Sequence, residues 1–144
     1  DKSAYARGVR EGAFAALDEN EAWKQKWLDP FLVLLGTHPS RILGDNLKKE
    51  VGKRPSEEYD AHHLVPWRHW RAQVARDILD GWEIKINDIE NGMWLERTFH
   101  RTLSNNREYM ANVTRLLERA RSKPEVLNAL DHIRDALSQH RIPK

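Results

Sequence analysis

The stretch YDAHHLVPWRHW, residues 59–70, places two histidines side by side at the start of a short apolar run. Neighbouring side chains of a β-strand point to opposite faces of the sheet. If AHHLV, residues 61–65, forms a strand, His62 and His63 face different surroundings, which suits two tasks better than one. An imidazole titrates near neutral pH, so one histidine could bind a metal ion while the other deprotonates a water molecule.

The composition is that of one globular domain. The chain has 144 residues, of which 40% are hydrophobic and 32% charged, which is enough for a hydrophobic core. The formal net charge of +2 does not by itself indicate a polyanionic partner, although charge can still be concentrated on one face. The chain has no cysteine, which excludes disulfides and cysteine-based metal sites and leaves His, Asp, Glu or Asn as ligands. No apolar run approaches the length of a membrane span; FLVLLG at 31–36 is far too short.

The regions around the central stretch are predicted to be mostly helical. Hydrophobic spacing and caps predict helices at residues 2–17, 21–36, 41–51, 67–80 and 123–140. Ser40 is predicted to cap the third of these helices, and Ser122 and Glu125 to form a capping box for the last. Alternating residues predict strands at 61–65 and 92–96, with a further strand-like segment, WEIKI, at 82–86.

The predicted organisation is a single α+β domain over residues 1–144. It has a helical lead-in at 1–52, a core at 59–122 and a C-terminal helix at 123–144. Because the chain begins at Asp1 with no signal peptide, we expect it to be a piece of a longer protein.

Five polar residues of the central region form a candidate site: His62, His63, Asn91, His100 and Ser104. Positions 100 and 104 are four apart, so on a helix their side chains share one face, as two ligands of one metal do. A short hairpin before this helix could bring His62 to the same place. Asn91 is in position to orient a histidine that acts as a base.

These residues carry a family resemblance. DAHHLVP at 60–66, ENGMWL at 90–95 and HRTLSNNREYM at 100–110 resemble, in this order, the HNH nuclease superfamily with its ββα-metal (His-Me finger) core. More narrowly they resemble its AHH branch, found largely as C-terminal toxin domains of bacterial polymorphic toxins and secretion-system effectors. The match covers about residues 59–110, and RILGDNLKKEVG at 41–52 resembles the lead-in of the branch.

The resemblance implies a role for each matching residue. His62 and His100 would be ligands of a divalent metal ion, with Mg, Mn, Ni and Zn all open. His63 would be the general base that activates water, and Asn91 would tether the His63 segment. Tyr109 is expected to pack beneath the site. Arg101 and Arg107 lie close to His100 in the sequence and are candidates for phosphate contacts, although a solvated charged face is an equal alternative.

Ser104 departs from the family pattern, which has a second histidine at this position. A serine hydroxyl is a poor ligand for a divalent transition metal. Three interpretations are open: the histidine was replaced to disarm a toxic protein, a natural variant completes the site with Asn105, Asn106 or water, or this copy is inactive.

The resemblance thus implies a metal-dependent endonuclease that cleaves DNA as an antibacterial toxin. It would be delivered into the cytoplasm of a target bacterium and be held in check by a cognate immunity protein. An RNase with the same core, a degenerate nucleic-acid-binding domain and a structural zinc module are the alternatives. Trp67 and Trp70 are predicted to share one apolar helix face with arginines opposite, and His69 to be structural.

Overall fold

The structure is a computed structural model that describes residues 38–144. The helices predicted at 2–17 and 21–36 lie outside the described residues. Within them, seven helices and strands follow one another: α1 (Pro39–Glu50), β1 (Tyr59–His63), α2 (Gln73–Gly81), β2 (Gly92–Glu96), α3 (Arg97–Leu103), α4 (Arg107–Glu118) and α5 (Lys123–Ser138). Two single 3-10 turns, Trp70–Ala72 and Ile89–Asn91, precede α2 and β2.

The two strands form an antiparallel hairpin that leads directly into a helix. Tyr59 pairs with Glu96 at one end of the sheet and His63 with Gly92 at the other. Residue 97, which begins α3, follows β2 without a connecting loop. This β-β-α order within a mostly helical chain confirms the predicted α+β class with a ββα core.

The hydrophobic core lies between the hairpin and the helices. α4 packs against α2 and α5, and each contributes apolar residues at helical spacing to one cluster. The residues that directly follow β1 enter the same cluster and are fully buried, namely Leu64 and Val65. Since the end of β1 is anchored in the core, the two histidines just before it have a fixed position.

Helix α1 lies very close to the hairpin because two glycines stand at the contact. A Cβ atom on Gly92 would lie only 2.4 Å from Cδ1 of Leu43, a fully buried residue of α1. On α1 itself, a Cβ atom on Gly44 would lie 3.6 Å from Cβ of Ala61 and 3.7 Å from the Trp94 indole. Gly92 therefore allows an approach that a larger residue would block.

Of two predicted helix caps, one agrees with the structure and one differs from it. Ser122 accepts a hydrogen bond from the Glu125 amide at 3.3 Å, as a capping box predicts, and the Glu125 carboxylate accepts from the Arg121 amide, one residue before the N-cap, at 2.8 Å. The prediction that Ser40 caps the third helix is wrong. His38 is the N-cap residue, and its Nδ1 accepts a hydrogen bond from the Ser40 amide at 3.2 Å, with Pro39 in the first turn.

Two predictions for the middle of the chain are also wrong. WEIKI at 82–86 is not a strand: it follows the end of α2 as turns and irregular backbone, and Glu83 has a φ of 61°. Alternation misled there because only Ile84 of this segment is buried and, within residues 38–144, no strand pairs with it. The helix predicted at 67–80 begins only at Gln73, after the 3-10 turn.

The prediction that Trp67 and Trp70 share one apolar helix face is also wrong, because both residues precede the helix. Trp67 lies before the helix, and the guanidinium of Arg68 lies over its ring, 5.0 Å from the centroid. Arg71 lies over Trp70 in the same way at 4.2 Å. The arginines stack on the indoles rather than lying opposite them.

None of the helices in residues 38–144 is both long enough and apolar enough to span a membrane.

Candidate active site

The end of β1 and the end of α3 border one cavity of about 270 Å³. His62, His63, His100 and Ser104 all line this cavity. His62 and His63 lie on opposite faces of the strand, but the strand ends at His63 and the cavity lies at that end. The structure therefore brings four of the five predicted site residues to one opening. Its remaining described lining residues are Ser40, Ala61, Pro66, Trp67, Arg68, His69, Leu103, Asn105 and Tyr109.

His62 is buried and oriented by Tyr109. Its Nε2 lies 3.1 Å from the Tyr109 hydroxyl, which donates its only proton to the Leu64 carbonyl at 2.6 Å. The hydroxyl oxygen must therefore accept, so His62 donates from Nε2 and keeps its lone pair on Nδ1. Burial raises the pKa of Tyr109, which keeps the hydroxyl protonated and this arrangement intact.

His63 is oriented by Asn87, a residue of the long connection between the strands. Its Nε2 lies 2.8 Å from Oδ1 of Asn87. An amide oxygen can only accept, so His63 donates from Nε2 and keeps the lone pair on Nδ1. Asn87 is itself held by Asn46 of α1, whose amide donates to the Asn87 carbonyl at 2.8 Å.

His100 faces His62 and contacts a carboxylate on its other side. The two imidazole rings meet edge to face, with 4.7 Å between their centroids. Nδ1 of His100 lies 3.4 Å from Oδ2 of Asp60, a long contact in which the imidazole donates. Asp60 also accepts from the Arg97 guanidinium, at 3.1 and 3.2 Å.

The surroundings keep the two adjacent histidines neutral. Burial lowers the pKa of His62 well below its usual range, and the neighbouring His100 and His63 lower it further. Burial lowers the pKa of His63 to about 4, against a raising effect of its hydrogen bond to Asn87. Burial opposes ionisation of Asp60, but the bonds from Arg97 and His100 outweigh it and lower the pKa of that carboxyl. At neutral pH both imidazoles thus have a lone pair available for a metal ion or a proton.

Asn91 holds the backbone that follows the histidines. It is fully buried, accepts from the Val65 amide at 2.9 Å, and donates to the Val65 and Ile86 carbonyls at 3.1 and 2.9 Å. Its side chain bonds the chain two residues after His63 and not the imidazole, which Asn87 contacts instead. A tether at this point fixes the end of β1 to the start of β2.

The residues present fit two of the three predicted ligand positions for a divalent cation. His62 and His100 supply two imidazoles whose rings meet edge to face, and imidazole nitrogen suits Zn or Ni better than Mg or Mn. Ser104 directly follows α3 in helical conformation and lines the cavity one turn beyond His100, so it does share the predicted face. Its hydroxyl is a poor metal ligand. Within residues 38–144, no group of three His, Cys, Asp or Glu residues could hold a metal ion.

The amides that follow Ser104 have other roles in this structure. Asn106 is the N-cap of α4, and its Oδ1 accepts from the Tyr109 amide at 2.9 Å. Asn105 lines the cavity, but its Oδ1 accepts from Nε2 of His69 at 3.0 Å. His69 also accepts from the Arg71 amide at 3.1 Å, so it joins the two walls of the cavity as a structural residue.

The predicted phosphate-binding arginines lie outside the cavity. Arg101 is exposed on α3, and Arg107 lines a separate groove beside Trp70 and Arg71. Arg68 lines the cavity itself. Contacts of Arg101 and Arg107 with a phosphate stay a prediction.

Two residues that orient the histidines were missed by sequence reasoning. Asp60 stands within the DAHHLVP motif and could have been noticed, because a carboxylate two residues from His62 on a strand lies on the same face. Asn87 had no such signal: it lies in a connection without regular structure, 24 residues from its partner His63.

Comparison with known proteins agrees with this geometry. The family model AHH, described as a nuclease family of the HNH/ENDO VII superfamily with conserved AHH, matches residues 43–140. No curated protein and no solved structure matches the chain. The family match covers more than half of the chain and includes the hairpin, α3 and both adjacent histidines. The chain therefore belongs to the AHH family of nucleases in the HNH/ENDO VII superfamily.

Proposed function

We propose that this nuclease is a divalent-metal-dependent DNA endonuclease and that it acts as the toxin domain of a bacterial effector. The observation that carries the catalytic part is the meeting of a buried, neutral His63 with the facing pair His62 and His100 at one cavity. Such a site places a proton acceptor for water next to two imidazoles that can bind a divalent cation, and this combination can hydrolyse a phosphodiester.

His63 is the general base in this proposal. Because its Nε2 proton is donated to Asn87, the lone pair on Nδ1 is the one that accepts a proton from water. A base with a pKa of about 4 is unprotonated at neutral pH, although it is a weak base until a substrate changes its surroundings. Asn87 keeps the ring in one orientation, and Asn91 keeps the backbone that carries it in place.

His62 and His100 would hold the divalent cation. When bound, the cation supplies charge stabilisation for the pentavalent phosphate and for the leaving 3′ oxygen. Tyr109 accepts the Nε2 proton of His62, and Asp60 accepts the Nδ1 proton of His100. The other nitrogen of each ring is thereby left free, and both rings are oriented before a cation binds.

Ser104 weakens the proposed site. A hydroxyl stands where a third imidazole would complete the cation's protein ligands, and Asn105 and Asn106 are engaged elsewhere. This supports reduced metal affinity and reduced activity in the chain as it stands.

The test is cleavage of supercoiled plasmid by this chain and by its Ser104→His variant, in Mg, Mn, Ni or Zn and in a chelator. We expect the variant to cleave at least about tenfold faster, since a third imidazole strengthens metal binding, and Ser104→His with His63→Ala to lose this gain. Equal cleavage by both proteins would contradict the role given to position 104. If His63→Ala keeps full activity in the active background, the general-base assignment is wrong.

DNA is proposed as substrate over RNA, which the same phosphodiester chemistry would also accept. The comparison is the cleavage rate of structured and of single-stranded RNA with the same metal ions. If RNA is cleaved faster than DNA, the proposed substrate is RNA. Ser104 also supports a second candidate, a nucleic-acid-binding domain that has lost catalysis. Tight DNA binding without cleavage, by the chain and by Ser104→His alike, would favour it.

The toxin role has its own experiment. Expression of Ser104→His in the cytoplasm of a bacterium should arrest growth and degrade chromosomal DNA, whereas Ser104→His with His63→Ala should do neither. We propose that the natural toxin is delivered into a target bacterium and that a cognate immunity protein binds it. Undisturbed growth with intact DNA, despite cleavage in vitro, would contradict the toxin assignment.

A further inference from the structure

A second opening adjoins the candidate active site. A groove of about 620 Å³ runs between α1 and the hairpin, and it shares Ser40, Ala61 and His100 with the walls of the active-site cavity. We call it the α1 groove. It contains none of the residues that the sequence suggested for substrate binding.

Three cations line the α1 groove from two directions. Arg41 and Lys48 lie seven residues apart on α1, which places both on one helix face, and Arg54 comes from the loop that follows the helix. All three are exposed. Within residues 38–144, no carboxylate lies within the 4.0 Å of an ion pair with any of these three cations.

The two carboxylates of the groove do not cancel this charge. Asp60 is already bonded to Arg97, outside the groove, and contacts His100. Asp45 is the other acidic lining residue. Among residues 38–144, three cations therefore face one carboxylate that has no counter-ion there, and this part of the chain gives the groove a positive surface.

Two contacts join the walls of the groove to each other. The Trp94 indole donates to the Gly52 carbonyl at 3.0 Å, which ties the Arg54 loop to β2. Gly44 lets α1 lie directly against Ala61 and Trp94. Arg54 is thereby held on the same groove as the cations of α1, beside the half-buried rings of Tyr59 and Trp94.

We propose that the α1 groove binds the phosphodiester backbone of the nucleic-acid substrate, with Arg41, Lys48 and Arg54 as its phosphate contacts. The groove opens at His100, so a strand lying in it would continue into the cavity that contains His63. Arginine and lysine side chains supply most of the sequence-independent affinity for DNA. This assignment rests on the proposed function, because it names where the substrate of that site lies.

The experiment measures binding without cleavage. A fluorescein-labelled 20-base-pair DNA is titrated with the chain in a chelator, by anisotropy, at several salt concentrations. The groove variant carries Arg41→Gln, Lys48→Gln and Arg54→Gln. The control variant carries Arg119→Gln, Arg121→Gln and Lys123→Gln, an equal loss of charge at the junction of α4 and α5, away from both openings.

We expect the groove variant to bind DNA at least about tenfold more weakly and the control variant to change much less. The slope of log affinity against log salt should fall by about 0.9 for each phosphate that the groove variant no longer neutralises. Equal affinity and slope in the two variants would overturn the proposal. It would also be overturned if a poly-glutamate probe were weakened by the same factor as DNA, because that result would indicate a site for an acidic protein.

Plasmid cleavage separates this proposal from the proposed function. If Ser104→His cleaves DNA and the groove variant binds DNA as well as the control variant does, the α1 groove does not bind the substrate. The nuclease assignment then still stands. If the chain and Ser104→His neither bind nor cleave nucleic acid, both proposals fail.

Discussion

His63 donates its Nε2 proton to Oδ1 of Asn87 across 2.8 Å, and this bond decides which nitrogen of the proposed base is free. Asn87 lies in the connection between the strands and is held by Asn46 of α1. The orientation of the base thus depends on a part of the chain outside the ββα motif. His62 and His100 have partners of the same kind in Tyr109 and Asp60.

Asn87→Ala should reduce cleavage by about 10- to 100-fold in the Ser104→His background, because an unoriented imidazole spends less time with Nδ1 towards the water. Nitrogen-15 NMR of the imidazoles should show His63 moving from one tautomer to a mixture. Asn128→Ala is the control, since it removes an exposed asparagine side chain from α5 that does not line the cavity. An unchanged tautomer in Asn87→Ala would refute the orienting role.

Tyr109→Phe should destabilise the fold by about 1–3 kcal/mol, because the Leu64 carbonyl and Nε2 of His62 both lose a buried partner. The tautomer of His62 should become mixed, and metal affinity should fall by about 10- to 100-fold. Urea unfolding, nitrogen-15 NMR and calorimetric metal titration measure the three effects. Metal affinity equal to that of the unchanged chain would show that Tyr109 only packs beneath the site.

Stability should decrease as the pH falls below about 6.5 in a metal-free buffer. The pKa of His63 is about 4 in the folded chain, below the value of about 6.5 expected when it is unfolded. Between these values the unfolded state binds more protons, so acid favours unfolding, by up to about 1.4 kcal/mol per pH unit for this group. The lowered pKa of His62 acts in the same direction.

Urea unfolding at pH 7 and pH 5 checks this pH dependence. His63→Asn should show a smaller difference between the two pH values than the unchanged chain. A chain that is as stable at pH 5 as at pH 7 would mean that the two histidines are not buried as neutral groups.

Two glycine substitutions should have opposite effects on stability. Gly92→Ala should lower the free energy of unfolding by about 1–3 kcal/mol, since its Cβ would lie 2.4 Å from a methyl group of the fully buried Leu43. Gly44→Ala should raise the free energy of unfolding by about 0.5–1 kcal/mol, because its Cβ would lie at ordinary van der Waals distances from its neighbours and alanine favours the helix. Thermal unfolding of the two variants measures the difference. Equal stability of both would show that α1 does not press against the hairpin as described.

The ββα core and the family could both be predicted from the amino-acid sequence. His62, His63, Asn91 and His100 stand in the order of the AHH motif, so the resemblance made these residues predictable, although α2 separates His63 from Asn91. The capping box at Ser122 was predictable without any resemblance, since all of its contacts lie within four residues. Local geometry needs no knowledge of the rest of the chain.

The contacts that orient the site histidines could not be predicted, because they join residues far apart in the sequence. Asn87 reaches His63 across 24 residues and Asp60 reaches His100 across 40, so neither pairing follows from local spacing. WEIKI resembled a strand because alternation records which residues are buried, while a strand also needs a partner for its backbone. The α1 groove depends on how closely Gly92 and Gly44 let a helix approach a sheet, and that contact exists only once the chain has folded.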